Sequence, residues 1–279
     1  MEIIKNTTEM QVRSDAFRQS GKTIGFVPTM GYFHEGHLNL MRMAKNQTDL
    51  VIISNYVNPA QFDRKDDLQS YPRDIERDHL LAEKEGVDIC FQPDNLYKAD
   101  HLTWVETEKI TDVLCGATRP GHFRGVATIV CKLFNIVKPH IAFLGQKDAQ
   151  QAAVINRMIK DLNYDIKLVL SPIIRENDGL AMSSRNVRLE PEHRASAPVF
   201  YKQLCMIEKN LSPDLSNSGE LEEQARKEIL KISGTKIDYI SILSWPELTE
   251  PDKHSKTLLI AGAVFFGNVR LIDNILKEL

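Results

Sequence analysis

The chain has 279 residues, of which 42% are hydrophobic and 26% charged, so it can bury a large core and is long enough for two domains. Its net charge of −3 gives no overall basic character, which argues against nucleic acid as a partner. The longest apolar run, LLIAGAVFF, is too short to cross a bilayer, and the N-terminal residues lack the apolar centre of a signal peptide. The four cysteines are scattered without a CxxC pair, which fits a reducing compartment such as the cytosol. We therefore expect a cytoplasmic protein that does not enter a membrane.

The first part of the chain alternates apolar runs with helical patterns, which is typical of a parallel α/β sheet. Helical spacing of apolar residues predicts one helix in residues 125–139, ended by Pro139, and another in residues 148–162, starting near Asp148. Together these elements predict a Rossmann-like, doubly wound domain over residues 1–175. The predicted buried strands are Thr23–Val27, Asp49–Ser54, Asp88–Phe91, Ile141–Leu144 and Ile166–Ser171.

The character of the sequence changes after about residue 174. A polar loop, RENDGLAMSSRNVRL, is followed by a charged helical stretch containing EEQARKEILKI. A strand, KIDYISIL, and a closing hairpin, LLIAGAVFFGNVRLID, come next. We interpret residues 176–279 as a smaller α+β C-terminal domain.

The stretch PTMGYFHEGHLNLM follows the first predicted strand and runs into a helical pattern. In an open α/β sheet, ligands bind beyond the carboxyl ends of the strands, where helix N-termini favour anions. His34 and His37, with Gly31 and Gly36 before and between them, therefore predict a phosphate site. The chain contains neither GxxxxGK[ST] nor GxGxxG, so the site is neither a P-loop nor a dinucleotide fingerprint.

Two further clusters carry groups that suit phosphate oxygens. LGQKDAQQ places Gly145 and Lys147 just after a predicted strand and Asp148 at a helix start. AMSSRN offers two hydroxyl groups and the guanidinium of Arg185. Three such clusters at loops and strand ends are hard to explain by packing and favour a nucleotide ligand.

Other classes of protein remain possible from these residues alone. HEGH is similar to a shortened HExxH zinc site, in which His34 and His37 would be ligands and Glu35 a base. The histidines are three residues apart where that motif needs four, and no local spacing identifies a third ligand. A sensor that binds ATP without turnover is the second alternative, and metal analysis or a turnover assay would separate these classes.

An ordered set of motifs resembles the pantothenate synthetase family of the HxGH nucleotidyltransferase superfamily. The set is PTMGYFHEGH, VNPAQF, YPRD, RPGHFRGV, NIVKPHIAFLGQKDAQQ and DGLAMSSRN, and GNVRLIDN extends the resemblance to nearly the whole chain. Asn55 and Tyr56 stand where the family usually has an apolar residue and phenylalanine, and Val269 stands where threonine is common. The first of these departures could alter the wall of the pantoate pocket.

The resemblance implies a HIGH-type Rossmann-like fold and an ATP-dependent ligation. ATP would activate the carboxylate of pantoate as pantoyl adenylate and release pyrophosphate. The amine of β-alanine would then give pantothenate and AMP. The resemblance also implies Mg2+ as a cofactor and a homodimer as the assembly. A different adenylyltransferase of the same superfamily is the nearest alternative function.

The resemblance also assigns roles to individual residues. His37, His34, Lys147 and Arg185 are implied as catalytic, and Gln61 and Gln151 as ligands of pantoate and β-alanine. Segments implied to contact ATP are Met30, Gly31, Tyr32, Phe33, His34, Glu35, Gly36 and His37, then Gly145, Gln146, Lys147 and Asp148, then Ile174, and finally Met182, Ser183, Ser184 and Arg185.

Three more residues have weaker assignments. Asp78 matches a position linked to magnesium, although a place on a solvated helix face is the simpler interpretation of its surroundings, RDIERDHLLAEKEG. Arg119 and His122 in RPGH are secondary candidates, because a Pro-Gly turn can serve only to organise a loop.

Overall fold

The computed structural model describes residues 1–63 and 65–279. By packing, the chain divides into two compact units, each discontinuous along the sequence. The first unit contains Met1–Glu108, Arg119–Gly145 and Val154–Pro172. The second contains Lys109–Thr118, Gln146–Ala153 and Ile173–Leu279. The division into domains 1–175 and 176–279 stays a prediction, because packing does not tell which stretch folds by itself.

The first unit is built on a six-stranded parallel sheet. Its strands are β1 (Glu2–Ile4), β2 (Ile24–Thr29), β3 (Leu50–Asn55), β4 (Ile89–Phe91), β5 (Ile141–Gly145) and β6 (Lys167–Ser171). They lie in the order β1-β4-β3-β2-β5-β6, which is the doubly wound plan that the sequence predicts. Phe26, Ile52 and Phe143 are fully buried, as expected for a parallel sheet covered on both faces.

Ten α-helices occur in the described residues. They are α1 (Thr7–Gln19), α2 (Glu35–Gln47), α3 (Lys65–Gln69), α4 (Ile75–Lys84), α5 (Leu114–Thr118), α6 (His122–Val137), α7 (Ala149–Asp161), α8 (Pro191–Ser196), α9 (Pro198–Asn210) and α10 (Ser218–Leu230). The predicted helices correspond to α6 and α7, and Pro139 follows the end of α6 as expected. Within the described ranges, none of the helices has the length and apolar character that a membrane span requires.

The second unit carries a three-stranded antiparallel sheet of β7 (Thr235–Ser244), β8 (Thr257–Phe266) and β9 (Val269–Glu278). The prediction of a smaller α+β part with a closing hairpin is confirmed, since β8 pairs with β9 from Phe266–Val269 onwards. The predicted charged helix is α10. The core of this unit is formed by side chains of α9, α10 and the sheet, including Phe200, Leu204, Ile260 and Phe266.

His140, just before β5, ties the start of that strand to β2 in the first unit. Its Nδ1 accepts a hydrogen bond from the backbone N–H of Ile24 at 2.9 Å, and its own backbone N–H donates to the Ile24 carbonyl at 2.9 Å. Burial, followed by the nearby charge of Arg18, lowers the pKa of His140 below its ordinary value. Protonation of Nδ1 would also remove the bond from Ile24.

We expect this histidine to make the protein less stable in mild acid. Because the folded state binds the proton less well than the unfolded state, stability is complete above the unfolded pKa of about 6.5 and falls as the pH drops below it. The measurement is the urea midpoint of the wild-type protein and of His140→Asn, which keeps an acceptor near Nδ1, at pH 7.5 and 5.5. The variant should lose less stability between the two pH values, and an equal loss in both proteins would contradict the assignment.

Candidate active site

His34 and His37 cap the N-terminus of α2, which a short loop connects to the end of β2. His34 is the N-cap residue, and its Nδ1 accepts a hydrogen bond from the N–H of Gly36 at 3.2 Å. The Nδ1 of His37 accepts in turn from the backbone N–H of His34 at 3.4 Å. Two histidines thus form the reciprocal capping box that serine or threonine and glutamate usually form. The spacing of three residues is the spacing that this cap requires.

The hydrogen bonds of the capping box also fix the tautomer of both histidines. A ring nitrogen that accepts from a backbone N–H carries no proton, so in a neutral imidazole the proton lies on Nε2. The ring centroids of His34 and His37 are 4.2 Å apart. The arrangement therefore supplies two neighbouring Nε2–H donors at a helix N-terminus, where the helix dipole already favours an anion.

Glu35, the base in the zinc alternative, is engaged elsewhere. Its carboxylate forms an ion pair with Arg42 further along α2, and Arg42 also binds Glu85 at 2.6 Å. A zinc site would need a third ligand, and residues 1–63 and 65–279 contain no group of three His, Cys, Asp or Glu side chains suited to a metal ion. The geometry at the start of α2 fits phosphate recognition better.

Asp78, in α4, holds the loop that leads into α2. Its Oδ2 accepts from the N–H of Tyr32 at 2.6 Å, and its Oδ1 accepts from the N–H of Phe33 at 2.8 Å. The amide of Asn55 donates to Oδ2 at 3.4 Å, and Arg77 donates to the Phe33 carbonyl at 2.9 Å. Burial raises the pKa of Asp78, while the two backbone N–H groups act against that rise. One carboxylate thus determines the path of the MGYFH loop.

The interpretation of Asp78 as a solvated residue is wrong, because only 1% of it is exposed. Its assignment to magnesium stays a prediction. Both carboxylate oxygens already accept backbone hydrogen bonds from Tyr32 and Phe33, so the contacts seen here are those of a residue that shapes the loop.

Gly31 is required by the same packing. Its φ of +84° is unfavourable for other residues, and a Cβ at this position would lie 2.6 Å from Asn55 Oδ1 and 2.9 Å from Asp78 Oδ2. The glycine therefore lets the loop pass directly over the buried carboxylate.

Gln61 lies at the end of a 3₁₀ turn, Pro59–Gln61, which follows β3. Its Oε1 accepts from Asn58 Nδ2 at 3.0 Å, and its Nε2 lies 3.1 Å from the sulfur of Met30. The structure thus brings the predicted pantoate ligand next to the predicted ATP loop. Asn58, which is 1% exposed and also donates to the Gly125 carbonyl at 3.1 Å, was missed by sequence reasoning. An asparagine directly before proline is a turn signal that could have identified it.

The RPGHFRG segment binds the backbone carbonyl of Gln61. His122 Nδ1 lies 2.7 Å from the Gln61 carbonyl and must donate its proton to that oxygen. Arg119 donates to the same carbonyl at 3.4 Å and pairs with Asp63 at 2.9 Å. These contacts give Arg119 and His122 the loop-organising role that was one of their two predicted roles.

In the second unit, the predicted ATP residues fall into two segments. Gln146–Asp148 form a 3₁₀ turn before α7. Met182 donates its N–H to the Ile174 carbonyl at 2.9 Å, and Arg175 forms a β-bridge with Ala181, so the two ends of this loop lie together. The remaining predicted residues of that loop are Ser183, Ser184 and Arg185. The hydroxyl of Ser183 accepts from the N–H of Arg185 at 3.2 Å, and Ser184 is buried.

Gln150 and Gln151 are neighbours on α7 with different environments. Gln150 is buried and donates to the carbonyls of Ile110 and Val113 at 2.8 and 2.7 Å. Gln151 is half-buried. Of the two amides, Gln151 is therefore the one with surface left for a ligand.

Comparison with known proteins gives one consistent family. The model of the pantoate-beta-alanine ligase family matches residues 2–276. Pantothenate synthetase from Caldicellulosiruptor bescii is 50% identical over 280 residues, covering 100% of this chain and 99% of the relative. The enzyme of the same name from Thermotoga petrophila is 48% identical over 276 residues, covering 98% of this chain and 99% of the relative.

Solved structures agree with this. The crystal structure of pantoate-beta-alanine ligase (pantothenate synthetase) from Thermus thermophilus superposes with a TM-score of 0.89 at 37% identity and covers 99% of each chain. The ligase from Francisella tularensis, complexed with beta-gamma ATP and beta-alanine, gives a TM-score of 0.81 at 34% identity and covers 100% of this chain and 98% of its own. The chain therefore belongs to the pantoate-beta-alanine ligase family and is a ligase.

Proposed function

We propose that the chain forms pantothenate from pantoate, β-alanine and ATP in two half-reactions. In the first, a carboxylate oxygen of pantoate bonds to the α-phosphorus of ATP, the bond from that phosphorus to the bridging oxygen breaks, and pyrophosphate leaves. In the second, the amine of β-alanine attacks the acyl carbon of pantoyl adenylate. The bond from that carbon to the phosphate oxygen breaks, AMP leaves, and the amine gives up a proton.

The reciprocal cap of His34 and His37 is the observation that best supports the first half-reaction. Negative charge builds on the phosphate oxygens as the bond to pyrophosphate breaks, and preorganised donors lower that barrier. The two Nε2–H groups provide such donors, and we assign Lys147 and Arg185 to supply positive charge. Hydroxyls of Ser183 and Ser184 add neutral donors.

The remaining ATP contacts are proposed along the same segments. They are Met30, Gly31, Tyr32, Phe33, Glu35 and Gly36 before and at the start of α2, and Gly145, Gln146, Asp148, Ile174 and Met182 in the other two segments. The contacts of Asp78 with Tyr32 and Phe33 support a fixed shape for this first loop.

We assign pantoate to the amides of Gln61 and Gln151. An amide offers both a donor and an acceptor, which suits an acid that carries hydroxyl groups. The bonds from Asn58 and the proximity of Met30 support a preset orientation of the Gln61 side chain. Asn55 and Tyr56 lie shortly before Gln61 in the chain, at the end of β3 and just after it.

We also propose that ATP is used with Mg2+, that the enzyme acts in the cytoplasm and that it is a homodimer. When bound with ATP, Mg2+ would offset part of the phosphate charge. The statements on Mg2+ and on the homodimer rest on the family resemblance, and the statement on the cytoplasm rests on the scattered cysteines of the sequence.

The experiment that tests the function is exchange of labelled pyrophosphate into ATP without β-alanine, measured across candidate acids. We expect exchange with pantoate and little with acids that lack its hydroxyl groups. Exchange with a different acid would point to another adenylyltransferase. Nucleotide binding without any exchange would favour a sensor, and a requirement for stoichiometric zinc would favour the hydrolase.

Alanine at Gln61 or Gln151 should weaken pantoate use far more than ATP use. Loss of one buried amide partner costs roughly 1 to 3 kcal/mol, which would appear as a higher pantoate KM in the exchange assay. Gln150→Ala is the matched control, because its amide binds backbone carbonyls: it should lower the Tm and leave the pantoate KM unchanged. Normal pantoate use with impaired ATP use in the Gln61 and Gln151 variants would overturn the pocket assignment.

A further inference from the structure

Two adjacent residues of β9, Asp273 and Asn274, lie at the end of the GNVRLIDN segment, to which no role has been assigned. Each is only 3% exposed, although both side chains are polar. Buried polar side chains are retained where they satisfy specific partners. Successive side chains of a strand leave it on opposite faces, so one short stretch of β9 can hold two different segments.

Asn274 binds the turn that carries Lys147. Its Nδ2 donates to the backbone carbonyls of Gln146 and Lys147, each at 3.0 Å. Its Oδ1 accepts from Gln146 Nε2 at 3.2 Å. One amide therefore fixes two consecutive carbonyls of the Gln146–Asp148 turn, and with them the backbone from which the Lys147 side chain departs.

Asp273 binds the second ATP segment through Arg175. The two carboxylate oxygens accept from the guanidinium of Arg175 at 2.6 and 2.9 Å, a bidentate pair. Arg175 also donates to the Gly179 carbonyl at 3.1 Å, and its guanidinium lies 3.4 Å from the centre of the Tyr201 ring. The arginine thus fixes both sides of the loop that leads from Ile174 to the MSSR residues.

We propose that Asp273 and Asn274 are positioning residues that hold the Lys147 turn and the MSSR loop to a single strand and so set the positions of the groups that act on ATP. This role rests on the proposed function, since it assumes that Lys147 and Arg185 act on the phosphates. The anchoring itself rests on contacts within the chain and does not depend on that assumption.

The test is a double-mutant cycle between Asn274 and Lys147. Asn274→Ala should lower kcat/KM for ATP in pantoate-dependent exchange by about tenfold to a hundredfold, because small misplacements of reacting groups have effects of that size. In the Lys147→Ala background, Asn274→Ala should lower kcat/KM for ATP by no more than about twofold, because the side chain that Asn274 positions is already absent. An equal loss in both backgrounds would overturn the proposal.

A matched control separates positioning from loss of stability. Arg270 lies on the same strand, is largely buried and pairs with Asp238 at 2.6 Å, but its contacts with Asp238 and Cys115 do not involve either ATP segment. Arg270→Ala should lower the Tm and leave kcat/KM for ATP unchanged. If it lowered kcat/KM for ATP as much as Asn274→Ala does, the effect would be a general loss of rigidity in the sheet and the proposal would fail.

A measurement without substrates distinguishes failure of this proposal from failure of the proposed function. Amide hydrogen exchange of the peptide covering residues 145–150 should be faster in Asn274→Ala than in the wild-type protein and unchanged in Arg270→Ala. Unchanged exchange in both would overturn the anchoring even if the enzyme makes pantothenate. If Asn274→Ala does not fold, Asn274→Ser, which keeps one hydroxyl donor, enters the same cycle.

Discussion

His37→Asn should slow pantoate-dependent exchange of pyrophosphate into ATP by about 10² to 10³, the usual effect of removing one preorganised transition-state donor. The neutral imidazole of His37 carries its proton on Nε2 because Nδ1 accepts from the His34 N–H at 3.4 Å. Asparagine keeps an acceptor near the place of Nδ1 but has no donor at the place of Nε2. The variant therefore removes the proposed phosphate contact and retains the helix cap.

Variants at the two histidines separate catalysis from capping. His37→Ala removes both the cap and the donor, so it should be less stable than His37→Asn and equally slow in exchange. His34→Ser retains a good N-cap residue for α2 and should also slow exchange. If His37→Asn exchanged pyrophosphate at the wild-type rate, the histidine would be a cap and nothing more.

The step at which His37 acts can be found with preformed pantoyl adenylate. The second half-reaction starts after pyrophosphate has left, so a residue that stabilises charge on the departing phosphates should matter little there. We expect His37→Asn to convert pantoyl adenylate and β-alanine to pantothenate much better than it exchanges pyrophosphate. The opposite result, normal exchange with a failed amine step, would move His37 to the second half-reaction.

The regular elements were predictable because their patterns are local. The strands Ile24–Thr29 and Leu50–Asn55 are continuous apolar runs, which a parallel sheet covered on both faces requires. Elements whose local pattern is short or weak were missed. For example, β1 has only three residues, and α1 buries only Met10 and Ser14, so its apolar period is too weak to recognise.

The supports of the site were not predictable, because their partners are far apart in sequence. Asp78 binds the N–H groups of Tyr32 and Phe33 from 46 and 45 residues away, and Asn274 binds Gln146 from 128 residues away. No spacing rule connects such positions. His34 and His37 are the contrasting case: a spacing of three residues is too short for the zinc motif but matches the N-cap and N3 positions of a capping box, so their local role could have been predicted.

Gly125→Ala should impair pantoate use by about 10²-fold, although Gly125 has no predicted contact with substrate. A Cβ at this position of α6 would lie 2.2 Å from the Ala60 carbonyl oxygen and 2.7 Å from the Gln61 N. Both are backbone atoms, so the 3₁₀ turn has to move away from the helix. Overpacking of this kind costs about 1 to 3 kcal/mol, and a shift of about 1 Å in a positioning group can lower the rate about 10²-fold.

The same displacement would break the contacts that orient Gln61. Asn58 would lose its bond to the Gly125 carbonyl, now 3.1 Å, and the Gln61 carbonyl would move from His122, now 2.7 Å away. We therefore expect the pantoate KM in the exchange assay to rise much more than the KM for ATP. The measurement is exchange as a function of each substrate in protein whose folding has been checked by thermal unfolding.

Gly219→Ala is the matched control for the glycine change itself. Gly219 also lies in the first turn of a helix, α10, and a Cβ there would meet nothing within 4 Å. Because alanine favours a helix over glycine by about 0.5 to 1 kcal/mol, this variant should be as stable as the wild-type protein or slightly more so, with unchanged kinetics. If Gly125→Ala and Gly219→Ala had the same pantoate KM, we would conclude that the close approach of α6 does not position Gln61. If it raised both KM values equally, the 3₁₀ turn would support the ATP loop through Met30 as much as the pantoate site.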